Sequence, residues 1–156
     1  MPVPQNRPDI IHGHDAYTDA ELLELSQFNS QAFLMAGVLA IGDDDDVLET
    51  WIQGVAEVMT RGWDLTREWS AAEVLDALLT NYRTYGGWIV EVDFNQPHSA
   101  AIIADIPDVE LAETIGATDR EADVLFRIGA HIASHLGRAM HWERNTESGD
   151  VSIIVT

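Results

Sequence analysis

The residues best suited to chemistry lie near the end of the chain, in the stretch HIASHLGRAMHWER at 131–144. His131 and His135 are spaced i, i+4, which places both imidazoles on one face of a helix, as in many zinc sites. His141 or Glu143, on the same face of a following strand, would supply a third ligand. This spacing suits a divalent metal such as zinc, iron or manganese, although HxxxH without the glutamate of HExxH specifies no reaction.

The same histidines have a second interpretation. The N-terminal motif HGHD would add His12, His14 and Asp15 to a metal site if it folded over the helix. On a helical wheel, however, His131 and His135 both lie beside the apolar stripe, where partly buried histidines are common. Metal binding and packing at the core edge both remain open.

Positive charge collects on the same segment. Residues 120–144 contain four arginines against three acidic residues, whereas the first 119 residues contain four arginines against 22 acidic residues. A guanidinium offers a fork of donors that suits carboxylate or phosphate. We therefore predict a site for a small anionic ligand, or for the acidic surface of a partner protein, at Arg120, Arg127, His131 and His135. The alternative is that these arginines pair with the surplus carboxylates of their own chain.

The charge balance of the whole chain is unusual. Its 156 residues include 27 acidic and 8 basic ones, every basic one is arginine, and the formal net charge is -19. Such a surplus repels itself at low salt, and molar salt removes the repulsion by shortening the Debye length to about 3 Å. An acidic, lysine-free, cysteine-free chain resembles the proteins of halophiles that accumulate salt, such as the halophilic archaea. The charge argues against nucleic-acid binding, and the absence of cysteine excludes thiol catalysis, thiolate metal sites and disulfides.

The organisation of the chain favours one cytoplasmic domain. Residues 1–16 are polar and proline-rich, which predicts a flexible arm, and 17–156 predict a single domain without linker or repeat. The longest apolar run, 32–41, is about half the length of a membrane span, so no membrane partner is expected. No secretory signal is apparent. The apolar final strand leaves open whether the C-terminus is native or truncated.

Three capping boxes predict the starts of helices: TDAE at 18–21, SAAE at 70–73 and TDRE at 118–121. The first helix should end at Ile41. Its second half is apolar nearly all round, which is typical of a central helix or a subunit interface and suggests a homodimer. Its apolar positions include Leu22, Leu25, Phe28, Ala32, Met35 and Leu39.

The remaining pattern completes an α+β fold. A second helix should begin in the acidic run 43–46, which lacks the ligand spacing of a calcium loop, and a third should cover 71–85. WIVEVDF at 88–94 alternates with Trp88, Val90, Val92 and Phe94 on one face. We predict three N-terminal helices, a β-hairpin closed by 100–106, further helices at 108–115 and from TDRE to Gly137, and a C-terminal β-hairpin, with all strands in one antiparallel sheet.

Five tryptophans are many for this length. Trp51, Trp88 and Trp142 fall on predicted core faces. Trp63 and Trp69 flank the loop GWDLTREWS, where they would line a pocket or a subunit contact.

The order of elements resembles the 4-vinyl reductase domain, a small-ligand-binding domain that shares its fold with transport-particle subunits. The resemblance covers roughly 75–156 and rests on topology and on the placement of Gly86, Gly129 and Gly137. Members often carry cysteines around the last hairpin, and this chain has none, so a metal role based on those cysteines does not carry over. What the resemblance implies is a ligand-binding or dimerising sensor module.

No catalytic template is present: there is no P-loop, no GxGxxG and no GxSxG. The sequence therefore favours a non-catalytic sensory or regulatory module that binds a ligand or partner and forms a homodimer. One alternative is a metal-binding protein or metal-dependent enzyme using His131, His135, His141 and Glu143. The other is a structural adaptor without a site.

Overall fold

The structure is a computed structural model and describes residues 17–95 and 97–156. The predicted arm, 1–16, with the HGHD motif, lies outside the described residues. The described chain forms α1 (Asp19–Ile41), α2 (Asp45–Thr60), α3 (Ala71–Thr84), β1 (Trp88–Asp93), β2 (Ser99–Ala104), α4 (Val109–Ile115), α5 (Asp119–Ala122), α6 (Val124–His135), β3 (Met140–Arg144) and β4 (Val151–Val155). This confirms the α+β class and the predicted order of helices and hairpins.

Local signals explain most helix boundaries. Thr18 and Ser70 each accept a hydrogen bond from the amide of the glutamate three residues later, and that glutamate accepts from the cap residue's own amide. Asp44 caps α2 by accepting from the amide of Val47 at 3.0 Å, so the acidic run is a helix start. The predicted helix from TDRE to Gly137 is instead divided into α5 and α6 at Asp123, whose carboxylate is bound by Arg144.

The four strands form one antiparallel sheet in the order β1-β2-β4-β3. One sheet face packs against α3 and α6 and supplies much of the core. Ala101 of β2 pairs with Ile153 of β4, and Met140 of β3 pairs with Val155 of β4. These side chains are buried, whereas their neighbours along each strand point to the other face.

The predicted core face of β1 was wrong for Trp88, whereas Val92 lies opposite the buried Ala101 and therefore on the core side. A β-bulge lies between Ile89 and Glu91, and it reverses the alternation of side chains along the strand. Ile89 pairs with Ile103 and packs on the core, whereas Trp88 is 68% exposed. Val90, Val92 and Phe94 are also exposed. The other four tryptophans, Trp51, Trp63, Trp69 and Trp142, are partly buried against the core.

Helix α1 buries a narrower stripe than its apolar sequence predicts. Gln31, Met35 and Val38 are buried, while Leu22 and Leu39, both among the apolar positions of the predicted helix, are 45% and 42% exposed. The reason is that α1 lies at the border of the helical layer and contacts α2, α4, α5 and α6 along one side only. Its opposite side has no neighbour among the described residues.

The glycines that carry the resemblance each have a local structural reason. Gly86 and Gly137 adopt φ angles of 93° and 74°, which residues with a side chain rarely adopt. Gly129 lies in α6 against α3, where a Cβ would come within 2.1 Å of the Tyr82 hydroxyl oxygen. Turn geometry and close helix packing therefore account for all three.

Candidate functional site

The predicted ligand-binding residues lie along the contact between α2 and α6, the two most closely packed helices. Leu48, Ile52 and Ala56 of α2 are fully buried in this region. Arg127, His131 and His135 follow one another at four-residue steps, so they form one polar edge of α6 beside the apolar contact.

Glu49 of α2 binds two of these side chains at once. Its Oε2 accepts from Arg127 Nη2 at 2.9 Å, and its Oε1 contacts His131 Nε2 at 2.7 Å. Burial raises the pKa of Glu49, but hydrogen bonds from Gln53, Arg127 and His131 together outweigh burial and hold that pKa below its ordinary value of 4.5. The Glu49 carboxylate is thus shared by two basic side chains, Arg127 and His131. Because the Glu49 side chain is 38% exposed, each of these two pairs stabilises the fold by at most about 1 kcal/mol.

Arg120 and His135 contact the two ends of α2. Arg120 Nη2 donates to Asp45 Oδ1 at 3.0 Å, and Nη1 donates to the carbonyl of Gly42, just before the helix. His135 Nδ1 lies 3.3 Å from Thr60 Oγ1 near the last turn of α2. Since the Thr60 hydroxyl donates to the Ala56 carbonyl at 3.0 Å, it accepts from His135, which requires the Nδ1–H tautomer.

All four predicted ligand residues therefore contact their own chain along α2. Arg127 and His131 meet at Glu49, whereas Arg120 and His135 lie at the opposite ends of the row. This is the internal pairing that the sequence left open as an alternative. It explains why basic residues gather here: they neutralise acidic and polar groups of a neighbouring helix.

The structure does not bring the four predicted metal ligands together. His141 and Glu143 alternate with Met140 on β3, and Met140 contacts α6, so the other two side chains point away from that helix. Within 17–95 and 97–156, no group of three or more histidine and carboxylate side chains is arranged to hold a metal ion.

Arg144 has a role that sequence reasoning missed. Its guanidinium donates to Asp123 Oδ1 at 2.6 Å from Nη2 and 3.1 Å from Nε, and to the carbonyls of Ile106, Gly149 and Ala122. Because its side chain is only 18% exposed, these bonds connect β3, the α5–α6 junction and two loops in a partly dry setting. The sequence counted Arg144 as part of a basic segment, and no local pattern indicated its partners.

A groove at the C-terminal end of α6 also escaped prediction, although two of its residues had been singled out. It has a volume of about 440 Å³ and is lined by His135, Arg138, Arg67, Glu68, Trp69 and apolar neighbours. Trp63 and Trp69 pack with ring centroids 5.3 Å apart, and Trp69 forms one wall. The expectation that these tryptophans line a pocket applies to Trp69 in this groove, and Trp63 lines a separate groove with Met59 and Ile132.

Comparison of the chain with protein-family models, with curated proteins and with solved structures gives no match. None of the described helices combines the length and apolar character needed to cross a membrane.

Proposed function

We propose that this chain is a non-catalytic regulatory module that acts as a homodimer, with the exposed face of α1 as the dimer interface. The observation that carries the proposal is the composition of that face. Residues 25–41 contain no charged residue, in a chain of which 22% is charged. An exposed helix face without charge is unusual on so acidic a protein, and it is expected where another surface covers it.

The face forms one continuous stripe opposite the buried side of α1. Its members recur at alternating steps of four and three residues, and all are exposed: Leu22, Ser26, Asn29, Phe33, Ala36 and Ala40. Phe33 is 79% exposed, the most of any large apolar side chain among the described residues. This spacing is that of helices that pack against a partner helix along a seam.

A second copy of the chain fits this stripe better than another partner. The uncharged segment 25–41 is centred on Phe33, so an antiparallel pair of α1 helices crossing at Phe33 would lay the uncharged segments over one another. A two-fold axis there makes the surface self-complementary, as an isologous dimer requires. Small residues on both sides of Phe33, Asn29 and Ala36 among them, allow two helices to approach closely.

The size of the surface is also adequate. At 1.5 Å per residue, the 23 residues of α1 extend over about 34 Å. A standard interface buries about 800 Å² per partner. Contact along the whole length of α1 and its flanking residues would have to bury about that area in each copy. The net charge of -19 keeps two copies apart at low salt, so association should need molar KCl.

The proposal is tested by the mass of the protein in molar KCl, measured by sedimentation equilibrium. We expect the wild type to have twice the chain mass of 17.3 kDa, and Phe33→Asp to have the single mass because it buries a charge in the interface. Val109→Asp is the matched control, since Val109 is also strongly exposed, at 63%, but lies on α4. It should remain dimeric.

A cross-link locates the interface. Because the chain contains no cysteine, Phe33→Cys introduces a single thiol. Mild oxidation should join two copies through the thiols on their α1 helices, while Val109→Cys should stay unlinked. A monomeric wild type, or a dimer that Phe33→Asp leaves intact, would overturn the proposal.

A further inference from the structure

We infer that the groove at the end of α6 binds a small organic anion through Arg67 and Arg138. The inference concerns residues outside α1, so it is independent of the proposed dimer. The ligand class is a carboxylate or phosphate group attached to a small apolar body.

The charge of this groove differs from that of the rest of the protein. Arg67 and Arg138 line it against one carboxylate, Glu68, and a second carboxylate, Glu73, pairs with Arg67 beside the groove. A second groove of similar volume, about 430 Å³ between α1 and α4, is lined instead by Glu24, Asp105, Asp108 and Glu110. On a chain of net charge -19, a concave surface whose carboxylates are balanced by arginines is where an anion meets the least repulsion.

Arg138 is held in place with its terminal donors unused. Gly137, at φ 74°, turns the chain sharply after α6, and the Arg138 amide donates back to the Ala133 carbonyl at 2.9 Å. Arg138 Nε donates to the Trp69 carbonyl at 2.6 Å. Neither terminal nitrogen of Arg138 has a hydrogen-bond partner in the part of the chain that the structure describes. A fixed guanidinium with free terminal nitrogens is prepared to bind an oxyanion.

Arg67 is oriented by an aromatic ring. Its guanidinium carbon lies 3.6 Å from the centroid of the Trp69 ring, so the group stacks on the indole. Stacking leaves the N–H edges free, and Nη1 uses one of them to donate to Glu73 at 2.9 Å. The indole is itself fixed, because Trp69 Nε1 donates to the Asp64 carbonyl at 2.8 Å.

The remaining walls of the groove offer apolar contacts for the carbon skeleton of a ligand and one polar side chain. Leu65 and Leu136 are apolar lining residues. His135 contributes an imidazole whose Nδ1 is occupied by Thr60, which leaves Nε2 without a partner among the described residues. This combination of a few fixed polar groups with apolar walls is typical of small-molecule sites.

The test uses the ¹H–¹⁵N spectrum of the full chain in molar KCl at constant ionic strength. Each of the five tryptophans gives one indole signal, and Trp69→Phe identifies the signal of Trp69. Inorganic phosphate and phenylacetate are titrated separately. We expect a saturable shift of the Trp69 indole signal with at least one probe. The probe whose shift saturates at the lower concentration shows whether the groove prefers a phosphate or a carboxylate group.

Variants decide whether the arginines are responsible. Arg138→Gln and Arg67→Gln should each weaken binding by about tenfold or more, since each removes a charge-assisted hydrogen bond. Arg83→Gln is the control, because Arg83 is exposed on α3 outside the groove, and it should bind as the wild type does. The unchanged signals of Trp51, Trp88 and Trp142, which lie away from the Trp63–Trp69 pair, verify that each variant is folded. Shifts that do not saturate for either probe, or binding that survives both groove variants, would overturn the inference.

Discussion

Gly129→Ala tests the close packing of α6 on α3. In an open helix, replacing glycine by alanine stabilises a protein by about 1 kcal/mol. Here the new Cβ would lie 2.1 Å from Tyr82 Oη and 3.2 Å from Met140 Sδ. Tyr82 is 1% exposed, and its rigid ring packs on Phe126 with centroids 5.2 Å apart, so it has no free space to move into.

We expect the cost of the clash to exceed the gain in helix propensity, so that Gly129→Ala lowers the free energy of unfolding. Removing the clash needs a shift of roughly 1 Å in a packed core, and overpacking costs about 1–3 kcal/mol or more, which exceeds the gain in helix propensity. We expect Gly129→Ala to lower the free energy of unfolding by about 2 kcal/mol, which lowers Tm by about 4–8 °C for a chain of this length.

Tyr82→Phe tests whether the clash with the Tyr82 hydroxyl oxygen causes this loss of stability. It removes the oxygen and its weak 3.7 Å hydrogen bond to Met140, which should cost below about 1 kcal/mol. With the oxygen gone, the nearest atoms to a Cβ at 129 are Tyr82 Cζ at 3.3 Å and Met140 Sδ at 3.2 Å, which need to yield only slightly. Gly129→Ala should then be nearly neutral, giving a coupling of about 1.5–2 kcal/mol in the double-mutant cycle.

The assay is thermal and urea unfolding followed by circular dichroism in molar KCl, at one fixed protein concentration. Gly54→Ala is the control: Gly54 is exposed in α2, a Cβ at this position would meet nothing within 4 Å, and we expect stabilisation of about 0.5–1 kcal/mol. The packing argument fails if Gly129→Ala is as stable as the wild type. It also fails if the loss is unchanged in the Tyr82→Phe background.

Three further predictions concern stability in the same assay. Arg144→Lys should lower the free energy of unfolding by about 2–3 kcal/mol, because lysine cannot reach Asp123 and three carbonyls at once. The control Arg61→Lys, at an exposed position, should be neutral. Equal effects of the two substitutions would contradict the role of Arg144. Ser99→Ala should be neutral or stabilising within about 1 kcal/mol, because the Ser99 hydroxyl is buried without a partner in the described chain, and a larger loss would reveal a bond there. The pKa of Glu73 is lowered from 4.5 to about 2, chiefly by the hydrogen bond from the amide of Ser70 and then by Arg67, so its contribution is present above pH 4.5 and is lost as pH falls toward 2. Glu73→Gln should therefore make the fall of Tm in that pH window shallower, and an unchanged slope would exclude this contribution.

Local signals in the sequence predicted most of the fold. The capping boxes and the acidic run lie at helix starts because side chains close in sequence satisfy the first free amides. The alternation in β3 was also correct, with Met140 and Trp142 facing the core and His141 facing away. These features depend on neighbours within a few residues, which a sequence displays directly.

What failed depends on distant contacts. The bulge that exposes Trp88 is set by pairing with β2, and the pattern of β1 alone contains no sign of it. The partner of Arg127 and His131, Glu49, lies about 80 residues earlier, and the Trp69 carbonyl that binds Arg138 Nε also lies far away in the sequence. The sequence identified basic residues able to bind an anion, but which of them have free donors is decided by packing between elements.

The strand order has a consequence for how the chain folds. Each hairpin, β1–β2 and β3–β4, is formed by neighbours in sequence, but the sheet is completed only when β2 meets β4. In that pairing Ala101 lies opposite Ile153, about 50 residues away, so the step closes a long loop and carries most of the entropic cost of forming the sheet. The two hairpins should therefore appear early and the union of β2 with β4 should limit the folding rate, with changes at Ala101 or Ile153 slowing folding more than changes in either hairpin turn.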